Sequence, residues 1–453
     1  MNYYPTTAII TEQRFGFGPK LNDQHVLSLS EQLSTKPYID TALQSLPSTN
    51  NILVQIGLFN QQRKKLKKSP NEKRAVQKQV NQFFNLSYEQ QVSARNLQTL
   101  HSSNSFQERL IQFWSNHFAV SADTRKVKPI IAGIENEVIR QHWNGNFADM
   151  LQATIKHPTM LMFLDNNLSV GPDSKLGKKR HKGLNENLAR EIMELHTLGV
   201  DGGYSQQDVI QLAHAITGWM VSFDKQNPGF KFAAWAHQPG DVMLLGQRYA
   251  QTGIGQGEAC LKDLALHQQT ARHLATKLAQ HFIGQPKKEL VDDLAGVYLK
   301  NNGELQPVYK RLLQEPEVNT AAPLRFRTPQ EWLFALLRSA DLNPSEHKIT
   351  QQLRLLGQQP FMAGSPAGWS DQDSDFNSSS ALIQRWQVAN TFAVLVVREA
   401  KKQKIKPLQL VKQVVKNLYG KDLDQHTELA MNKANGAITK LVLLWLSPQF
   451  MYR

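Results

Sequence analysis

Phe106 to Val120 reads FQERLIQFWSNHFAV, and the spacing of its apolar residues decides the fold class. Phe106, Leu110, Phe113, Trp114 and His117 fall three and four apart, which at about 100° per residue places them on one face of a helix. Ser105 before the stretch, with Glu108 three residues on, makes a capping-box pattern for the helix start. The same periodicity extends outward. Ile131 to Trp143 and Phe147 to Ile155 read as helices split by the Asn144-Gly145-Asn146 turn, and His157-Pro158 opens a short apolar segment ending at Asp165. Helical patterning returns after Gly253-Ile254-Gly255-Gln256-Gly257 and persists, with breaks near Gly303, Pro316 to Pro323, Gly357 to Ser380 and Gly420. Between these regions, Phe230, Phe232, Ala234, Val242 and Leu244 alternate with polar residues around Gln238-Pro239-Gly240. That alternation predicts a small β-hairpin insertion around 228–248. The expected fold is mainly α: a large helical domain carrying that insertion.

Composition supports a folded chain and narrows the chemistry. At 453 residues and 41% hydrophobic content, a sizeable core can form. The expected organisation is an N-terminal helical region over 1–100 with a basic segment at 61–80, then a main helical domain over 101–453, or one continuous domain. Cys260 is the single cysteine, which excludes a disulfide framework and any cysteine-built zinc or iron–sulfur site. Gly253, Gly255 and Gly257 miss the G-x-G-x-x-G spacing, and there is no P-loop or G-x-S-x-G elbow. Haem, nucleotide and iron–sulfur cofactors thus have no motif. No run approaches the ~18 apolar residues of a membrane span. The opening residues lack a basic region ahead of an apolar one, so the expected location is the cytoplasm.

Lys plus Arg number 52 against 38 Asp plus Glu, a net charge of +14. The excess gathers in Gln61 to Val80, Lys175 to Lys182 and Arg398 to Lys416. These clusters lack the interleaved aromatics that stack bases, so nucleic acid is not an expected partner, although a polyanion would suit them electrostatically.

The candidate chemistry lies in Leu184 to Gly199, LNENLAREIMELHTLG. As a helix from about Asn185 to Leu198, closed by Gly199, it gathers Asn187, Arg190, Glu191 and Glu194 within about a third of its circumference. Leu188, Ile192 and Leu195 take the other side, and Glu186 sits at the polar edge. An ordinary amphipathic helix with Glu–Arg pairs worth ~0.2–0.5 kcal/mol gives this pattern. The same stripe facing a cleft would hold a divalent cation such as Mg²⁺, Ca²⁺ or Mn²⁺, or perform acid–base work, with Arg190 binding an anionic group. The catalytic candidates are Glu191, Glu194, Arg190 and His117. Asn185, Asn187, Lys179 and Arg180 are candidates for substrate binding, and Glu191, Glu194 and Asp165 for a metal. His117 also reads as a core histidine bonded to backbone, and Asp165 as a turn cap. His196 falls well off the Glu191/Glu194 face and no H-E-x-x-H occurs, so a zincin site is excluded. Downstream, the spacing of Ser205 and Asp208 predicts the N-cap of a helix over Gln206 to Met220.

These residues also carry a family resemblance. RFGFGP (Arg14–Pro19), RLIQFWSNHFAV (Arg109–Val120), HPTMLMFLDN (His157–Asn166), NENLAREIMELHTLGVDGGYSQQDV (Asn185–Val209) and AHAITGW (Ala213–Trp219) resemble the bacterial domain-of-unknown-function family DUF1800. LLGQ (Leu244–Gln247), TARHLATKLAQHF (Thr270–Phe282), RTPQEWL (Arg327–Leu333), PAGW (Pro366–Trp369) and LSPQF (Leu446–Phe450) continue it. The resemblance implies a large helical bacterial protein with a site at the Glu191/Glu194 stripe. Relatives often resemble exported proteins and are often encoded beside a sulfatase/phosphatase-like protein. On this reading the chain departs from its exported relatives in lacking a leader, which leaves the periplasm as the lesser expectation, and it has His237-Gln238 where relatives tend to have His-Asp. Two functions follow as expectations, beside a weaker third, polyanion binding through the basic clusters. One is a metal-assisted hydrolase or transferase acting on an anionic or polyhydroxylated substrate. The other is a non-catalytic partner or maturation factor for the sulfatase-like neighbour, with the stripe as a buried structural network.

Overall fold

The computed structural model describes residues 6–21, 27–66, 69–180, 183–316 and 325–453. The protein is mainly α. Its two small sheets are each a two-stranded antiparallel hairpin, Trp219–Phe223 with Pro228–Phe232 and Val242–Leu244 with Gln247–Tyr249, so the β insertion begins upstream of the expected 228–248. The strands flanking Gln238-Pro239-Gly240 therefore do not pair with each other. The reason lies upstream. The helix that starts at Gln206 ends at Ala215, not Met220, and Gly218 turns the chain at φ +79°. Trp219–Phe223 is thereby released as a nearer partner for Phe230 and Phe232. The start of that helix is as the spacing indicates: Asp208 N donates to Ser205 Oγ (3.2 Å) and Ser205 N to Asp208 Oδ2 (2.8 Å).

At Ser105 the capping-box pattern is overridden. The helix Ser105–His117 begins there without a side-chain cap. Ser105 Oγ instead donates to Glu12 Oε2 at 2.5 Å, and Glu108 accepts both Nη groups of Arg140 at 2.7 Å. Charge-assisted bonds to distant buried partners outweigh a local cap worth ~1 kcal/mol.

Apolar stripes at helical spacing build two cores. The first takes in Phe15, Val76, Phe113, Leu188, Leu274 and Leu312, so it draws on both sides of residue 100. The second runs from Phe326 to Met451, with Phe17 and Leu100 reaching across into it. In the Ser379–Lys402 helix the stripe is Arg385, Val388, Ala389, Phe392, Val396 and Ala400, the i, i+3, i+4, i+7 pattern of a one-faced helix. None of the helices, among the described residues, is long and apolar enough to cross a membrane.

Beside these apolar contacts, a buried ionic cluster joins the two cores. Glu331, at the third position of the Pro329–Ser339 helix, accepts from Thr328 N (3.0 Å) in a capping box. The same carboxylate binds Arg109 Nη2 at 2.6 Å and Arg453 through Nε (3.2 Å) and Nη2 (3.1 Å). Both arginines also donate to the Arg14 carbonyl, at 2.7 and 3.2 Å. Burial pushes the Glu331 carboxyl up, but Arg109 and Arg453 hold it well below the usual carboxylate range. Residues 325–327 bond back to back with residues 451–453, with Arg325 N to Arg453 O at 3.0 Å and Arg453 N to Arg325 O at 2.8 Å. Truncating Glu331 leaves two buried guanidinium groups without their anion. Glu331→Ala should therefore lower unfolding free energy by about 3–5 kcal/mol. Urea titration checks this, and a loss under ~1 kcal/mol would show that the clamp is dispensable.

Candidate functional site

The stripe begins where Asn185 ties the helix start to the preceding turn. Asn185 Oδ1 accepts from Asn187 N (2.9 Å), Asn185 N donates to Ser169 Oγ (3.1 Å), and Nδ2 reaches the Asp165 carbonyl at 3.4 Å. The Asn187–Glu191 helix then passes into a π-helical turn, Ile192–His196. Thr197 Oγ1 donates to the Ile192 carbonyl (2.7 Å) and Gly199 N to Met193 O (3.1 Å), which close the widened turn. Such turns are uncommon and concentrate at functional sites. This one displaces Glu194 from the position that 100° per residue would assign.

Glu191 and Glu194 are half-buried, Arg190 likewise, and Asn187 is exposed. Burial, then the charge of Glu194, raises the Glu191 carboxyl above its ordinary value, against the pull of Arg190. Arg190 Nη2 bonds Glu186 (3.1 Å) and Gln206 (2.8 Å), and Gln206 Nε2 closes the triangle on Glu186 at 2.7 Å. This is a surface network, not a buried one. The Tyr204 phenol faces the same acids: burial and then the Glu194 charge raise it. Tyr204 and Gln206 were not candidates in the sequence, because both follow the Gly202-Gly203 turn, which conceals that the chain doubles back.

The remaining candidates are dispersed. Asp165 has φ +60° and makes no cap bond, and its carboxylate pairs with the Lys126 ammonium. Among the described residues no group of three or more His, Cys, Asp or Glu side chains is arranged to hold a metal ion, so Asp165 does not complete a ligand set with Glu191 and Glu194. Lys179 is exposed, and the Arg180 side chain lies outside the described residues.

His117 is buried in a cluster the sequence did not reveal. Its Nε2 donates to the His196 carbonyl (3.1 Å), His196 Nδ1 donates to the His117 carbonyl (3.0 Å), and His273 Nε2 donates to Leu195 O (3.0 Å). These bonds fix the tautomers and leave His117 Nδ1 and His196 Nε2 as buried nitrogens without a hydrogen-bond partner. Burial, then the Lys277 charge, lowers all three imidazoles: His196 to about 3, His273 to about 4, and His117 well below its ordinary value. Desolvation also lowers Lys277, against the attraction of Asp371. One turn on, His281 Nδ1 donates to Asp371 at 2.9 Å while Arg109 Nε donates to its Nε2 at 3.3 Å, and burial brings it to about 4. His273, Lys277 and His281 recur every fourth residue of Gln268–Ile283, which was the available signal for this face.

The sequence profile of the family described as "Protein of unknown function (DUF1800)" matches residues 11–452. No curated protein and no solved structure matches the chain.

The buried imidazoles set a pH dependence. In the unfolded chain they take up protons below about 6.5, whereas folded His273 and His281 stay neutral to about 4 and His196 to about 3. The unfolded state then binds more protons, so stability is lost as pH falls from about 6.5 toward 4. Melting temperatures measured from pH 7 to pH 4.5 should decline steadily, and a flat profile would contradict the neutral, buried assignment.

Proposed function

The chain belongs to the DUF1800 family, matched over nearly its whole length, and we propose that it is a hydrolase or transferase acting on an anionic or polyhydroxylated substrate at the Glu191/Glu194 face. The observation that carries this is the raised Glu191 carboxyl beside a second carboxylate. A carboxyl that keeps its proton nearer to neutrality is suited to general-acid work, with the second carboxylate beside it as the complementary group. Arg190, half exposed above them, attracts an anionic group. A divalent cation at this pair would need substrate oxygens and water to complete its shell, since Mg²⁺ is commonly held by one or two carboxylates together with its substrate.

The test is turnover of chromogenic phosphate, sulfate and glycoside esters by wild type, Glu191→Gln and Glu194→Gln, with and without Mg²⁺, Ca²⁺ or Mn²⁺. Glu191→Gln should lose about 100-fold or more of any activity found while keeping its melting temperature. Activity unchanged in both variants would refute the assignment. Arg190→Ala should cost under ~1 kcal/mol, because the Arg190–Glu186 pair is solvent-screened. A loss several times larger would restore the buried-network alternative.

One observation favours a second function. Ile383, Trp386 and Val394 form an exposed apolar stripe on the Ser379–Lys402 helix, as a non-catalytic partner or maturation factor for the sulfatase/phosphatase-like neighbour would need. Co-purification of the two proteins, abolished by Trp386→Glu, would establish it.

A further inference from the structure

We propose that the cleft between the two cores binds the carboxylate of a small organic acid, gripped by Arg95 and Gln358. The cleft shares no residue with the Glu191/Glu194 face, and its interior is ≈ 80 Å³, room for a compact group and not for a polymer. Arg95 lines it with only 7% of its surface exposed. Its Nε is committed to Glu135 at 2.8 Å, while the guanidinium plane lies over the Phe361 ring, 5.1 Å from the centroid. Among the described residues its two Nη groups have no hydrogen-bond partner. Gln358 is 6% exposed, and its Oε1 accepts from Gln330 N at 2.8 Å. That bond assigns the amide orientation and leaves Nε2 as another donor on the same cleft, also without a partner among the described residues.

These donors open onto the cleft, where a ligand supplying acceptor oxygens meets them in place of water. A planar carboxylate matches the fork of an arginine better than a tetrahedral anion in so small a space. The acids on the wall do not compete for these donors. Glu331 is held by Arg109 and Arg453, and Asp371 by His281. With Arg109 and Arg453 set against Glu331 and Asp371, this wall is not net acidic. Phe113, Phe361 and Trp369 supply an apolar wall for the body of the acid. That wall is held in place by Asn116, whose Nδ2 donates to Trp369 O (2.9 Å) and whose Oδ1 accepts from Trp369 N (2.7 Å). Gly368 at φ +78° permits this approach, since a Cβ there would lie 2.5 Å from Asn116 O.

Isothermal titration of the full chain at pH 7 tests the site, with benzoate and acetate as probes and benzamide and inorganic phosphate as comparators. Benzoate should bind once per chain, and benzamide and phosphate at least about tenfold more weakly. Gln358→Glu, which sets a like charge against the ligand, and Arg95→Lys, which removes the fork, should each weaken benzoate about tenfold or more. The proposal fails if neither carboxylate binds up to ~10 mM, if benzamide or phosphate binds as well as benzoate, or if both variants bind like wild type. Should the variants not fold, the benzoate–benzamide comparison on the wild-type chain decides.

Discussion

One buried carboxylate organises the molecule. Glu331 receives Arg109 from one core and Arg453 from the other, and both arginines close on the carbonyl of Arg14. Without this anion the seam would hold guanidinium groups in a low-dielectric interior with nothing to offset their desolvation. The clamp also places what lies around it. Arg109 orients His281 through Nε, His281 holds Asp371, and both line the cleft between the cores.

Part of the arginine content is thereby accounted for by architecture. Arg109, Arg325, Arg327, Arg338, Arg385 and Arg453 are all nearly or fully buried. Most of their donors are spent on backbone carbonyls: Arg338 on those of Gly18, Leu100 and Ser102, and Arg385 on that of Arg327. Arg385 also lies over the rings of Phe326 and Trp332. These arginines act as internal struts, satisfying loop carbonyls that would otherwise be buried unpaired.

The helical class, the place of the β insertion and the Ser205–Asp208 cap were legible because local periodicity and spacing suffice for each. The failures share one cause: a tertiary partner outbid a local pattern. Glu12 took Ser105, Arg140 took Glu108, and Trp219–Phe223 took the strand expected to pair with Val242–Leu244. At the candidate site, the spacing put Glu191 and Glu194 on one polar face. The π turn was not legible, because no composition rule marks it. Nor was the meeting of His117 with His196, His273 and Lys277, since those residues lie on three separate segments. Arg95 and Gln358 had no signal at all. An arginine in a long helix and a glutamine in a loop become notable only when their donors are found facing a cavity.

The span of the Glu331 clamp bears on how the chain reaches its final form. Arg14 and Arg453 are 439 positions apart, and Arg109 and Glu331 are 222 apart. Contacts of such separation form after local ones, because the chain must first be compacted by its own helices. The clamp is thus a contact of the longest range, tied through the Arg14 carbonyl to the segment near one end of the chain and through Arg453 to the other.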